Sequence, residues 1–226
     1  MSTLIIIPAR KGSKGIKNKN KININGKKLI EYTFEIVNKL NFKSEICLST
    51  DDEEIIKIGK KFKIFAPFIR PANISKDTTS ISEVIEHSLN WFTKNKNYIP
   101  LNILLLQPTS PGRERKDVLN AYKMFCNSNK DSLISVSIPK NNPCEIFVVK
   151  NDKLKFLLSS KTNWQRQQYP KSYFVDGSIY IFKTSFFRRS KKIFDQNSIF
   201  YKSLSKNLID IDTQEDLEIF KYFQNK

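Results

Sequence analysis

The chain has 226 residues, 39% of them hydrophobic and 12% aromatic, enough apolar material for one domain with a real core, and this excludes wholesale disorder. Its 39 basic residues against 22 acidic ones leave a net charge of +17 that points to polyanionic partners, yet the lysines are spread along the chain without one basic block, as a composition bias alone would leave them. No apolar run approaches the roughly 18–20 residues of a membrane span, the N-terminus lacks a basic region and cleavage site, and Cys47, Cys126 and Cys144 form neither a disulfide framework nor a zinc knuckle, so a reduced, cytoplasmic protein is expected.

In chain order, Leu4–Pro8 reads as a buried strand that ends in a glycine- and cation-rich loop. A helix is predicted over 28–40, where Leu29, Ile30, Phe34 and Val37 recur at helical spacing. A strand follows at Glu45–Ser49, then a helix over 51–62 with Asp51 as its N-cap and Ile55, Ile58 and Phe62 on one face. A short strand at 63–65, a helix over 79–92, a strand at Ile103–Leu106 and a helix over 116–126 continue the alternation. Strands alternating with helices predict an α/β domain with a doubly wound, mostly parallel sheet. Such sheets bind ligands beyond the carboxyl ends of their strands. The richest polar loops, 9–21, 49–52 and 107–115, all follow strands, which locates the site.

Beyond residue 132 the pattern changes. Strands are predicted at 132–137, 146–149 and 153–157, the last two joined by a turn at Asn151-Asp152. A polar stretch over 159–171 follows, then a strand at 177–182, and Leu208–Asp212 leads as a strand into a closing helix over 214–223. Residues 140–175 therefore read as an insertion in a single domain spanning 1–226, suited to partner contact rather than to core.

Four segments can carry chemistry. Between Arg10 and Asn20 the loop holds four lysines and an arginine within eleven residues, together with Gly12, Ser13 and Gly15. A glycine-rich turn after a buried strand converges backbone N–H groups on an anion while the cations neutralise it, which favours a triphosphate. It is neither a Walker loop nor a dinucleotide fingerprint. In Asp210-Ile211-Asp212, a strand would put the two carboxylates about 7 Å apart on one face, able to share a hard divalent cation. Asp212 alternatively caps the last helix, and Thr213 with Asp216 matches a capping box. Gln107-Pro108-Thr109-Ser110-Pro111 is a stiffened turn that would hold the Gln107 amide in place. Arg70-Pro71 precedes Asp77-Thr78-Thr79-Ser80, where Ser and Thr read first as helix caps. The lone His87 lies mid-helix, so no histidine-based nucleophilic catalysis can be assembled.

Taken in order, these segments, with Ser49-Thr50-Asp51 and Gly177-Ser178-Ile179-Tyr180, resemble the acylneuraminate cytidylyltransferases and relatives acting on legionaminic or other nonulosonic acids. The resemblance runs nearly end to end. It implies a nucleotide-diphospho-sugar transferase-like fold and a reaction in which CTP and a nine-carbon 2-keto sugar acid give the CMP-sugar and pyrophosphate. It further implies that Arg10, Ser13, Lys14 and Lys19 hold the triphosphate, that Asn20, Arg70 and Ser80 read cytosine and ribose, and that Asp210 and Asp212 hold Mg2+. Arg10, Lys19, Asp210 and Asp212 are then the catalytic set. Gln107 and Tyr180 would touch the sugar acid, and a homodimer would bring Arg166, Gln167 and Phe194 to the partner's substrate. Two positions depart from the family's pattern near the expected sugar pocket: Asp176 where members acting on N-acetylneuraminate often carry Asn, and Gly112 where a larger apolar residue is common. The nearest rival of the same chemistry is a 3-deoxy-manno-octulosonate cytidylyltransferase; from another class, a basic nucleic-acid-binding module would use the lysines and leave the aspartates idle.

Overall fold

Strand β1 (Thr3–Pro8) opens a computed structural model that describes residues 2–13, 15–158, 165–205 and 207–225. A hairpin of β2 (Asn23–Ile24) and β3 (Lys27–Lys28) leads into α1 (Leu29–Asn38), β4 (Ser44–Ser49) and α2 (Glu53–Lys61). Then come α3 (Ile81–Lys96), β5 (Asn102–Leu105), α4 (Arg115–Cys126) and β6 (Ser132–Ser137). An arm of β7 (Phe147–Lys150) and β8 (Lys153–Phe156) precedes β9 (Phe174–Lys183), α5 (Thr184–Ser190), β10 (Ile199–Lys202) and α6 (Gln214–Gln224).

The main sheet has the order β10-β6-β9-β5-β1-β4, with β9 antiparallel to both its neighbours and the other pairs parallel. Both faces are covered, so the central strands are apolar throughout and alternate residues go to opposite layers. Ile5 and Ile7 of β1, Leu104 of β5 and Ile179 and Ile181 of β9 pack with α1, α2 and α4. Leu4 and Ile6, Ile103 and Leu105, and Tyr180 and Phe182 pack with α3 and α5 on the other face. The chain leaves β1 for β4 on one side and returns to β5 on the other. The order reverses at β1, and a crevice opens between the carboxyl ends of β1 and β5.

A third apolar cluster decides where the closing segment lies. Ile16 of the basic loop, Ile24, Leu29, Ile211, Leu217 and Phe220 are all buried together, which clamps α6 and the residues before it against that loop. The strand expected at 208–212 does not form. The Ile211 N–H donates to the Thr109 carbonyl at 2.7 Å and its carbonyl accepts from Lys19, so the segment docks on the turn after β5 and on the basic loop instead of joining the sheet.

Two further expectations are corrected. Asp52, not Asp51, caps α2, its Oδ1 accepting from the Glu54 N–H at 2.9 Å; Asp51 instead accepts from the Lys11 N–H at 2.8 Å and fastens the basic loop. No strand forms at 63–65, because Lys63 takes a left-handed conformation (φ 58°) that turns the chain. The expected turn at Asn151-Asp152 forms: among the described residues β7 and β8 pair only with each other, and both turn residues have positive φ. Side chains on both faces of this hairpin are exposed, among them Val149 at 67% and Leu154 at 63%.

Candidate active site

A cleft of about 510 Å³ fills the crevice. Its walls come from Arg10, Ser13, Gly15, Lys19 and Asn20 after β1, from Arg70, Lys76, Asp77 and Thr79 ahead of α3, from Gln107, Pro108 and Thr109 after β5, and from Asp212. Cations therefore converge from two segments 60 residues apart on a space that two carboxylates, Asp77 and Asp212, border. A hollow of about 650 Å³ lies at the foot of the arm, walled by Lys140, Asn142, Tyr169, Lys171 and Lys202 among others. It has no residue from the basic loop or the aspartate segment, so the smaller cleft is where the chemistry assembles.

The loop is held from within. Asn20 is buried and donates through Nδ2 to the Arg10 carbonyl at 3.1 Å, closing the loop on itself. The Arg10 guanidinium pairs with Asp77 across the cleft mouth. Lys19 donates its ammonium to both the Ile211 carbonyl and the Asp212 carboxylate, each at 2.7 Å. A nucleotide's phosphates would compete for both cations.

Arg70 is the buried cation of the cleft, 4% exposed. Its Nη2 donates to the Ser49 carbonyl at 2.5 Å, while Nε has no hydrogen-bond partner. Burial lowers the guanidinium's affinity for its proton, with Asp51 opposing. A donor left over in a buried wall is an available recognition group for a polar ring edge.

Asp210 and Asp212 differ in setting. Asp212 is exposed and rests on Lys19. Asp210 is half-buried against Gly177, and its Oδ1 is shut from solvent without a hydrogen-bond partner. Burial pushes its carboxyl up from 3.8, the Asp212 charge adds to this, and a hydrogen bond from Thr109 opposes it. A buried carboxylate oxygen with no donor is costly unless a cation or water completes it. That orphan atom, two residues from an exposed carboxylate, fits a hard divalent ion. Among the described residues no group of three or more His, Cys, Asp or Glu comes together, so such an ion would take its remaining ligands from water and phosphate. Thr213, with Asp216, caps α6 in the expected capping box, which frees Asp212 of that task.

The remaining predicted residues divide. Gln107 lines the cleft. Tyr180 does not line it; its hydroxyl is pushed up to about 12 by burial and by the charges of Asp210 and Asp176. Phe194 stacks on Tyr180 of the same chain, with centroids 6.3 Å apart. Ser80 is spent as the N-cap of α3, exchanging hydrogen bonds with Glu83, and its neighbours Thr79 and Ile81 line the cleft instead. Gln167 is exposed in a short 3-10 turn at the base of the arm. Lys14 and the Arg166 side chain lie outside the described residues.

Neither Asp176 nor Gly112 lines the cleft. The Asp176 carboxylate is buried and accepts from the hydroxyls of Ser135, Ser137 (3.0 Å) and Ser203 (2.7 Å) and from the Ser178 N–H (3.0 Å). Gly112 lies under the Asn207–Leu208 backbone and is not among the residues lining the cleft.

Arg113 was not singled out by sequence. It is 3% exposed and donates to the carbonyls of Ser178 and Gln107 (3.2 Å) and to the Thr33 hydroxyl (2.9 Å). One guanidinium thus ties α1, β9 and the Gln107 turn, between the charges of Asp176 and Asp210. Burial brings its pKa down to about 10, and both carboxylates oppose the fall.

Comparison with known proteins agrees with this geometry. Residues 4–225 match the model of a family described as cytidylyltransferase. The pseudaminic acid cytidylyltransferase of Campylobacter jejuni is 31% identical over 98% of this chain and 95% of its own. The N-acylneuraminate cytidylyltransferase of Escherichia coli O18:K1:H7 is 29% identical over 99% of this chain and 52% of its own. Among solved structures, CMP:2-keto-3-deoxy-manno-octonic acid synthetase complexed with CTP superposes with a TM-score of 0.71 at 16% identity, covering 100% of this chain and 99% of that one, which is a likeness of fold. A match over nearly the whole chain, on a fold whose crevice gathers cations at the strand ends, places this protein in the cytidylyltransferase family.

Proposed function

We propose that the protein activates a nonulosonic acid, of the pseudaminic, sialic or legionaminic kind, by transferring CMP from CTP. The observation that carries this reading is the meeting of Arg10, Lys19, Asn20, Arg70 and Gln107 with Asp212 around one cleft, Asp210 lying two residues from that carboxylate. Relatives that match nearly all of this chain and are named for pseudaminic, N-acylneuraminic and N,N'-diacetyllegionaminic acids support the substrate class. A nucleic-acid module is disfavoured, since its lysines would leave the aspartates without a task.

In this reading the anomeric hydroxyl forms a bond to the α-phosphorus of CTP as the bond to the β-phosphate oxygen breaks, and pyrophosphate leaves. The protein's share is placement and charge. Arg10 and Lys19 exchange Asp77 and Asp212 for triphosphate oxygens, with Ser13 and Lys14 of the same loop. Arg70 and Asn20 face the base, Gln107 orients the sugar acid, and Tyr180 with Phe194 closes the apolar side of its pocket. Asp210 and Asp212 would hold Mg2+, which neutralises charge growing on the phosphate oxygens.

The arm supports a homodimer. Phe147, Val148, Val149, Leu154 and Phe156 are all exposed on one hairpin, an apolar area that a second copy would cover. A dimer formed there would bring Arg166 and Gln167 near the neighbouring site. Among the described residues no helix is long and apolar enough to cross a membrane.

Comparing initial rates of pyrophosphate release with CTP and UTP tests the base-reading half of this proposal. A pocket that pairs with cytosine leaves buried groups unpaired against uracil, so CTP is expected to win by orders of magnitude. Equal rates would contradict it.

A further inference from the structure

Three of the chain's six glycines press against one short segment, Asn207–Asp212, which carries the aspartate pair: two against its backbone and one against the Asp210 carboxylate. A Cβ added at Gly15 would overlap the Asp212 carbonyl oxygen. One added at Gly112 would overlap the Asn207 carbonyl oxygen and stand 2.8 Å from its carbon and 3.3 Å from the Leu208 Cα. One added at Gly177, where φ is +73°, would stand 3.0 Å from Asp210 Oδ2. The three come from different places: the basic loop, the turn after β5, and β9. No other glycine meets this segment. Gly12 has ordinary contact with Arg10, Gly26 has open space, and Gly59 packs on Leu48 and Ile64.

The same stretch is strapped to the turn that contains Gly112 by the Ile211 N–H, which donates to the Thr109 carbonyl at 2.7 Å, and just ahead of it Ser205 Oγ donates to the Gly112 carbonyl at 2.7 Å. The segment makes no sheet ladder, so its place is set by these straps and by what the bare glycine backbones allow. At Gly15 and Gly112 the opposing atoms are backbone, which cannot swing aside as a side-chain end can.

We propose that Gly112, together with Gly15 and Gly177, is a positioning residue: the three form a side-chain-free track that fixes Asp210 and Asp212 relative to the phosphate-binding loop. The proposal rests on the reading that this pair serves the nucleotide and its metal. Gly112 touches neither the cleft nor a phosphate group, and it acts only through the 207–212 backbone. A methyl group there must lift that backbone, and misplacement on the scale of 1 Å costs about 100-fold in rate.

The test is Gly112→Ala in the full chain, with turnover, CTP affinity by calorimetry and amide exchange measured together. The expected result is a kcat about 100-fold lower, a CTP affinity in the absence of metal near that of the parent, and an Ile211 amide that exchanges about fivefold faster as its strap weakens. Gly26→Ala, strained but remote, is expected to lower thermal stability and leave kcat alone. Parental kcat in folded Gly112→Ala, or kcat and CTP affinity falling in step with the folded fraction, overturns the proposal. Should Gly112→Ala not fold, Gly177→Ala decides, read against Gly26→Ala, which carries comparable backbone strain (φ +84°) without the contact: kcat lowered at Gly177 but not at Gly26, with CTP still bound, upholds the track, and parental kcat overturns it. Asp212→Asn run alongside separates the two claims. If it turns over normally, the role assigned to the aspartates fails; if it is inactive while the glycine variants are fully active, only the track fails.

Discussion

Replacing Arg113 with Met removes a charge from the deepest part of the site while keeping a similar apolar volume. Three acceptors lose the guanidinium: the Ser178 carbonyl, the Thr33 hydroxyl and the Gln107 carbonyl, which keeps the Ser110 N–H, in a place where Arg113 itself is only 3% exposed. Each buried acceptor left bare costs about 1–3 kcal/mol. Asp176 keeps its serine hydroxyls and so tolerates the loss, whereas Asp210 already has one oxygen without a partner. Breaking one side of a buried charge arrangement costs about 3–5 kcal/mol in all. For a domain of this size each kcal/mol shifts Tm by about 2–4 °C, so a fall of about 6–20 °C is expected. Urea unfolding at pH 7, followed by circular dichroism, should show a lower midpoint with an unchanged slope. Arg113→Lys keeps the charge but cannot bridge three directions, and should recover only part of the loss. If Arg113→Met unfolds within about 1 kcal/mol of the parent, the guanidinium does not hold these segments together and the reasoning fails.

Asp212→Asn is expected to abolish most turnover while costing less than about 1 kcal/mol of stability, because its pair with Lys19 is exposed and Thr213 caps the helix; paired activity and melting measurements check this. Lys28 and Lys21 hold the Glu54 carboxyl down to about 2. Its ionised form therefore adds stability that is complete above the unfolded value near 4.5 and is lost as pH falls toward 2. Glu54→Gln should flatten the acid arm of the stability profile between those values, as read from urea midpoints, and leave the profile above pH 5 unchanged. Arg166→Ala is expected to raise KM for the sugar acid far more than for CTP. Mixing it with Asp212→Asn under subunit-exchanging conditions should restore one working site per mixed dimer, and no recovery would show that Arg166 serves its own subunit or no site at all.

The parts of the fold that sequence made legible are those whose signal is local and periodic. The continuous apolar runs of β1 and β5 and the helical spacing of Leu29, Ile30, Phe34 and Val37 mark buried elements before any contact is known. Loops after strands then mark the crevice, and Arg10, Lys19, Asn20, Arg70 and Gln107 do meet there. What stayed hidden depends on encounters between distant segments. Asp51 and Asp52 are equal candidates for a cap until the backbone shows which one faces the Glu54 N–H. Arg113 reads as part of a polar loop, because nothing near it in sequence reveals Thr33 or Ser178 as its partners. Asp210–Asp212 has the alternation of a strand, but its docking on Thr109 and on three glycines is a matter of tertiary fit. Ser80 shows the opposite error: its local meaning as a helix cap outweighs the role carried over by resemblance.

The central claim is CMP transfer to a nonulosonic acid, and product analysis tests it most directly. The purified protein would be incubated with CTP, Mg2+ and, separately, pseudaminic, N-acetylneuraminic, N,N'-diacetyllegionaminic and 3-deoxy-manno-octulosonic acids, with products identified by mass spectrometry and 31P NMR. The account predicts a CMP-sugar and one equivalent of pyrophosphate with at least one of the nine-carbon acids, and none with the Asp212→Asn chain. Turnover confined to the eight-carbon acid, or no CMP-sugar from any of the four, would contradict it.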